Sequence, residues 1–268
     1  MNASAPVLAP SALRGKRIYV TGAGSGIGRA IACRAAALGA TVGGCGRHAE
    51  GLAETGRMIA DADGAFLYDI CDVRDAGALR SVLHAFAGDH GLDGLVNNAG
   101  GQFAARAEQI SPKGFAAVVD LNLNAVFAAS RAAHDAMPHG GAIVNLSICP
   151  AERGGLGLAH AVAARSGVAG LTRALALEWG GRGIRVNSVA PAAVETDAFV
   201  ASYGADAKAL GAKTPLGRNA SVGEIAELVS FLLSDAAALI TGQLLRIDGG
   251  AFLGAPIDLR PVHEETLA

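Results

Sequence analysis

The sequence predicts an α/β domain built on a doubly wound, seven-stranded parallel sheet. Short apolar runs alternate with helical patterns from residue 17 onward, the signature of parallel strands joined by crossover helices. A glycine-rich string stands where the first apolar run gives way to the first helix. The chain is 51% apolar and 17% charged, a balance that suits a large buried core.

The strands are expected in order at Ile18–Val20, Ala40–Gly44, Ala65–Ile70, Gly94–Asn97, Ala142–Leu146, Ile184–Val189 and Leu244–Ile247. Each is a short apolar or β-branched run bounded by turn residues. A helix is expected from Ile27 to Leu38, and long helices from about Pro112 to Ala136 and from Ala159 to Trp179. No repeat, charge run or linker divides the chain, so a single domain over residues 14–254 is expected, with tails at 1–13 and 255–268.

Composition excludes several classes. A net charge of −2 without a basic stripe gives no footprint for nucleic acid or an anionic membrane. The first residues lack the basic start and apolar run of a secretory signal, and no stretch reaches the roughly 18 apolar residues of a membrane span. A cytoplasmic protein is expected. Cys33, Cys45, Cys71 and Cys149 show no C-x-x-C spacing, which argues for buried thiols and against a zinc site or disulfide framework. No metal is expected.

The string Thr21-Gly22-Ala23-Gly24-Ser25-Gly26-Ile27-Gly28 lies between a predicted strand and a predicted helix. Glycines in that setting permit a tight turn and bring backbone N–H groups close to a pyrophosphate, the Rossmann-type arrangement. Gly22, Ser25, Ile27 and Gly28 are the candidates here. At the end of the second strand, dinucleotide folds that select NAD place an acid on the ribose 2′-hydroxyl. This chain reads Gly46-Arg47-His48 there, with no acid before Glu50. Arg47 suits a 2′-phosphate, so NADP(H) is the expected cofactor.

These and later segments resemble the short-chain dehydrogenase/reductase family over about residues 14–252. Asn97-Asn98-Ala99-Gly100 ends the fourth strand, as the family's Asn-Asn-Ala-Gly signature does. The resemblance implies cofactor contacts at Asn98, Ala99 and Gly100, and adenine contacts at Asp72 and Val73. It also implies nicotinamide contacts from the segment holding Pro191, Val194 and Thr196, in which Ala192 replaces a glycine. Asn122 matches the family's helix-borne asparagine. Ile240-Thr241-Gly242-Gln243 through Gly250 matches its last strand, and a homotetramer is implied by the same likeness.

The family's catalytic signature, a serine after the fifth strand and Tyr-x-x-x-Lys on the next helix, is replaced. Ungapped counting puts Ile148 at the serine place, with Ser147 one residue before it. Ala161 stands at the tyrosine place and Arg165 at the lysine place. Only four lysines occur, Lys16, Lys113, Lys208 and Lys213, so compositional drift is the bland account of Arg165. An arginine is no general acid, since its pKa exceeds about 12, but it holds ribose hydroxyls and stabilises negative charge. Reduction of an enoyl thioester tolerates this loss better than carbonyl reduction, because an enolate takes its proton at carbon, from water or a modest acid.

Asn98-Ala99-Gly100-Gly101-Gln102-Phe103, Ala163-Ala164-Arg165-Ser166-Gly167-Val168 and Tyr203-Gly204 resemble the peroxisomal trans-2-enoyl-CoA reductase branch, which also carries arginine for lysine. The 2,4-dienoyl-CoA reductases are a weaker match, with Pro150 at their replacement-tyrosine place. Asn122, Ser147 and Arg165 are therefore the catalytic candidates, and a small-molecule or acyl-thioester substrate is expected. An atypical carbonyl or alcohol oxidoreductase and a non-catalytic NADP(H)-binding protein stay open as alternatives. His160 and Tyr203 are further donors to consider. His160 is expected to point about 100° away from the Ala161 direction, and Cys149 to serve packing.

Overall fold

The computed structural model describes the backbone of residues 8–203 and 206–254, and the side chains of these except 202, 203 and 206–208. In chain order the first half runs β1 (Arg17–Thr21), α1 (Gly26–Ala37), β2 (Thr41–Gly46), α2 (Ala49–Ala60), β3 (Phe66–Ile70), α3 (Ala76–Ala87), β4 (Gly94–Asn97), α4 (Pro112–Val119) and α5 (Ala125–Asp135). It continues with β5 (Gly141–Leu146), α6 (Ala159–Trp179), β6 (Ile184–Pro191), β7 (Val194–Glu195), α7 (Asp197–Tyr203), α8 (Asp206–Ala212), β8 (Ala220–Ser221), α9 (Val222–Leu233) and β9 (Leu244–Ile247).

Seven strands form one sheet in the order β3-β2-β1-β4-β5-β6-β9, and each pairing is parallel. The expected fold class is therefore found. Strand alternation explains the two buried layers. Ile18 and Val20 of β1 face a cluster with residues of α1, α2 and α9, whereas Tyr19 faces one with residues of α3, α5 and α6. β3 is an edge, and Leu67, Tyr68 and Ile70 on it stay exposed. Among the described residues no helix is long and apolar enough to cross a membrane.

The order of strands reverses between β1 and β4, which opens a crevice beyond their carboxyl ends. The glycine turn leaves β1 there, and Asn98 to Gly101 leave β4 beside it.

Leu13, at the end of the segment expected as a tail, is fully buried in the α1–α9 layer and its N–H donates to the Leu38 carbonyl at 3.0 Å. One expectation is corrected. The helix expected over Pro112–Ala136 is interrupted by a π-turn at Asp120–Asn124. Asn122, buried in that turn, donates Nδ2 to the Val118 carbonyl four residues back at 2.8 Å. A side-chain donor on the i−4 carbonyl competes with the regular ladder, and single π-turns of this kind mark functional sites.

Candidate active site

The glycine turn is shaped by close approach. Gly22 has φ +67, and a Cβ there would lie 2.9 Å from Asn98 Nδ2. A Cβ on Gly28 would lie 2.2 Å from the Gly22 carbonyl oxygen. Neither position tolerates a side chain. The turn is stapled to β4 through Thr21, whose Oγ1 accepts from the N–H groups of Asn98 at 3.0 Å and Ala99 at 3.1 Å. Asn98 Nδ2 in turn donates to the Thr21 carbonyl at 3.0 Å and the Gly22 carbonyl at 3.2 Å. Arg29 and Thr55 hold the far side: Arg29 Nη2 donates to Gly24 O at 2.6 Å, and Thr55 Oγ1 to Ala23 O at 2.9 Å.

The start of α1 is left for an anion. Ser25 is its N-cap but makes no side-chain cap bond, and the first turn carries no acid. Unspent N–H groups on an uncharged, glycine-lined helix start fit a pyrophosphate. Ile27 behind them packs against the α1–α9 layer. Thr196 crosses close by, with Cγ2 3.2 Å from where a Gly26 Cβ would be. Its Oγ1 accepts from the Phe199 N–H at 3.1 Å. Pro191 ends β6, and Val194 pairs with Ala220 in the small β7–β8 ladder. The segment Pro191–Thr196 thus closes one wall of the crevice.

Arg47 and His48 are exposed at the start of α2, and His48 is its N-cap without a side-chain bond. On the neighbouring strand end Val73 is buried, and the Asp72 carboxylate is gripped by Arg74. Hydrogen bonding from Arg74 holds the Asp72 carboxyl down at about 2. These residues would hold the adenosine half of a dinucleotide.

At the other end, Asn122, Ser147 and Arg165 are brought close to Gly100 and the ends of β4 and β5. A Cβ on Gly100 would lie 2.1 Å from Arg165 Nη2 and 2.8 Å from Asn122 Oδ1. Asn122 is spent on backbone: Oδ1 accepts from Gly101 N–H at 3.2 Å, and Nδ2 donates to Gly101 O at 2.8 Å. Ser147 is buried and its hydroxyl donates to the Arg165 carbonyl at 3.2 Å. Arg165 Nη1 donates to the Leu146 carbonyl at 2.5 Å, while Nε is buried without a partner among the described residues. Burial holds this guanidinium down at about 10, and no acid among the described residues offsets it. It remains a cation at neutral pH, desolvated and without a counter-charge among the described residues.

Ala161, which the sequence resemblance puts at the tyrosine place, is 1% exposed. His160 beside it is wholly buried and stands edge-to-face with Phe103 at 4.3 Å. Its Nδ1 accepts from the Ala161 N–H at 2.7 Å, so Nε2 carries the proton of the neutral ring, and Nε2 has no partner among the described residues. The Tyr203 side chain lies outside the described residues. Cys149 donates to Asp248 Oδ2 at 3.2 Å, and burial first, then this carboxylate, pushes its thiol up to about 12. A thiol held in that range is poorly nucleophilic near neutral pH, which fits a packing role. Among the described residues no group of acids, histidines and cysteines could hold a metal ion.

Sequence reasoning missed Thr21, Arg29 and Thr55, which shape the turn through hydrogen bonds to its backbone. The Thr of the Thr-Gly pair was the available signal for the first; Arg29 and Thr55 meet only in three dimensions.

Comparison with known proteins places the whole fold among related chains. A family profile described as Enoyl-(Acyl carrier protein) reductase matches residues 22–251. A Bacillus subtilis (strain 168) protein named "Probable 2,4-dienoyl-CoA reductase [(2E)-enoyl-CoA-producing]" is 39% identical over 89% of this chain and 97% of its own. Among solved structures, a provisionally assigned NAD(P)-dependent gluconate 5-dehydrogenase from Beutenbergia cavernae, with NADP bound at low occupancy, has TM-score 0.86 and 39% identity over 92% of this chain and 100% of its own. Carveol dehydrogenase from Mycobacterium avium, in complex with NAD, has TM-score 0.85 and 29% identity over 91% of this chain and 99% of its own.

Proposed function

The chain belongs to the short-chain dehydrogenase/reductase family, oxidoreductases that use a nicotinamide cofactor, and on that premise we propose that it is an NADP(H)-dependent reductase of a conjugated enoyl thioester. The observation that carries this reading is Arg165, a buried guanidinium without a counter-charge among the described residues, at the place where the resemblance puts the family's lysine. Leaving such a charge unpaired costs several kcal/mol, by order of magnitude, and a ligand that brings negative character recovers it.

A nicotinamide cofactor, when bound, would supply the hydride. The pyrophosphate is assigned to the start of α1 beside Ser25 to Gly28, the 2′-phosphate to Arg47 and His48, and the adenine to Asp72 and Val73. Asn98, Ala99, Gly100, Pro191, Val194 and Thr196 line the nicotinamide half. Arg165 is assigned two duties at the reacting end. It donates to the nicotinamide ribose, and its charge stabilises the oxygen of the enolate that forms when hydride reaches the far carbon of the double bond. Asn122 and Ser147 are positioning residues, since their donors are spent on Gly101, Val118 and Arg165 backbone. Ala161 offers no proton, so the enolate takes one at its α-carbon from solvent.

The trans-2-enoyl-CoA branch resembled by the sequence and the dienoyl-CoA name of the Bacillus relative share this chemistry, and both substrates belong in the test. A second reading, carbonyl or alcohol chemistry, rests on the unpartnered Nε2–H of His160 as proton donor. We also propose a homotetramer, supported by the exposed Phe127 on α5, which borders a groove of about 510 Å³ shared with α3; light scattering tests it.

The deciding experiment follows NADPH consumption with crotonyl-CoA, with a 2,4-dienoyl-CoA and with a carbonyl panel. Turnover of either thioester that exceeds every carbonyl supports the first reading. Turnover confined to carbonyls supports the second, and cofactor binding without turnover would overturn both.

A further inference from the structure

β2 and β3 run parallel with Gly46 opposite Ile70, and Cys71 donates its N–H to the Gly46 carbonyl at 2.9 Å. Arg47 and Asp72, which follow these contacts, therefore leave the sheet side by side. This juxtaposition endangers recognition of a 2′-phosphate. A free carboxylate beside Arg47 would repel the phosphate and would also compete for the guanidinium.

The structure shows how the competition is resolved. Arg47 is exposed and makes no hydrogen bond or ion pair among the described residues, although its charge reaches Asp72. Asp72 is instead wrapped by Arg74, two residues on. Arg74 gives its backbone N–H to Oδ1 at 3.0 Å and Nε to both oxygens at 3.0 and 3.1 Å. Its Nη2 donates to Oδ2 at 2.5 Å. A guanidinium fork of this kind satisfies a carboxylate more fully than a single distant cation does.

We propose that Arg74 is a positioning residue for cofactor specificity: by holding Asp72 it leaves Arg47 free for the 2′-phosphate of NADP(H). The inference rests on the NADP(H) reading above. Its distinctive consequence is conditional. Arg74 matters to NADPH only while position 72 carries a negative charge. It matters little to NADH, which has no 2′-phosphate.

The test titrates NADPH and NADH by cofactor fluorescence into wild type, R74A, D72N, R74A/D72N and R74K, with folding checked by circular dichroism. R74A is expected to raise the NADPH Kd about fivefold, the scale of an exposed ion pair, and to leave the NADH Kd nearly unchanged. In the D72N background the same change at position 74 should have no effect on NADPH, and R74K should recover part of the loss. An equal loss in the D72N background means that Arg74 touches the phosphate itself, and overturns the proposal. An equal loss for NADH reduces Arg74 to a support of the adenine loop, and also overturns it. An unchanged NADPH Kd in R74A does the same. A wild type that binds both cofactors equally overturns the NADP(H) reading itself. Preference in the wild type that R47A abolishes and R74A leaves intact overturns only the role given to Arg74.

Discussion

The guanidinium of Arg165 occupies the space that a side chain on Gly100 would need, with Nη2 2.1 Å from the site of the missing Cβ. The glycine after β4 is therefore bound to the arginine on α6. In Gly100→Ala the new methyl would meet Asn122 Oδ1 at 2.8 Å as well, and Asn122 is clamped to Gly101 and Val118. Arg165 is the longer, freer chain, so it must leave the Leu146 carbonyl. We expect a stability loss of about 1–3 kcal/mol, the usual scale of overpacking, with turnover and NADPH affinity falling as in Arg165→Ala. The double variant should be no worse than the worse single one. Independent, additive effects on NADPH affinity would show that the two positions do not act through one another.

Arg165 itself separates function from stability. Arg165→Ala should weaken NADPH by roughly 1.5–3 kcal/mol, the worth of a charge-assisted hydrogen bond, and lower turnover with it. Arg165→Met keeps the volume but removes a desolvated charge. Its melting temperature without cofactor should equal or exceed the wild type's, because buried charges are expensive to keep. A cofactor titration of Arg165→Ala that overlays the wild type would leave compositional drift as the account of this arginine. Strong destabilisation of Arg165→Met would make it a structural residue.

Cofactor choice is the next expectation. Arg47 is exposed with no acid at Gly46, so NADPH should bind at least tenfold more tightly than NADH, about 1.4 kcal/mol. Arg47→Ala should weaken NADPH much more than NADH. Tryptophan or cofactor fluorescence measures both, and equal affinities in the wild type would end the assignment.

Much of this was legible in the sequence, and what was not has physical causes. The strands were visible because each is a short apolar run, and the glycine turn because few other settings need glycine at both Gly22 and Gly28. The break at Asp120–Asn124 was hidden, since apolar spacing over residues 112–136 is equally good for one continuous helix. Only the distant carbonyl of Gly101, which receives Asn122 Nδ2, reveals why the asparagine is turned inward. The start of α9 could have been found, because Ser221 and Glu224 form a capping box with the expected spacing. The type of residue at position 165 was plain; its lack of a counter-charge among the described residues depends on its neighbours in space, which spacing alone does not contain.

Proton supply gives a further expectation. With Ala161 at the tyrosine place, as we propose, and Arg165 still charged near neutrality, simple secondary alcohols should be poor substrates. Their oxidation needs a base to take the hydroxyl proton. Steady-state rates with an alcohol panel near pH 7 check this. Robust oxidation that survives both His160→Leu and Tyr203→Phe would contradict it, whereas oxidation lost with His160→Leu alone would favour the second reading.

The acid limb of stability is expected to run through Glu224. Its carboxylate pairs with Arg218, Nη2 to Oε1 at 2.6 Å, and Oε2 accepts from the Ser221 N–H at 2.9 Å. Arg218 first, and the Ser221 bonds after it, hold the Glu224 carboxyl down at about 2 from an ordinary 4.5. A depressed folded value means that the unfolded chain binds the proton more readily, so stability from this group is present above pH 4.5 and is lost as pH falls toward 2. Both side chains are partly exposed, and solvent screening reduces the effect well below what the shift alone implies. Glu224→Gln removes the titration and retains much of the cap. Thermal melts across this range should therefore show the wild type losing roughly 2–4 °C more than the variant on acidification. Parallel acid limbs for the two proteins would mean that the start of α9 owes its stability to the cap and packing, with no measurable part for the charge.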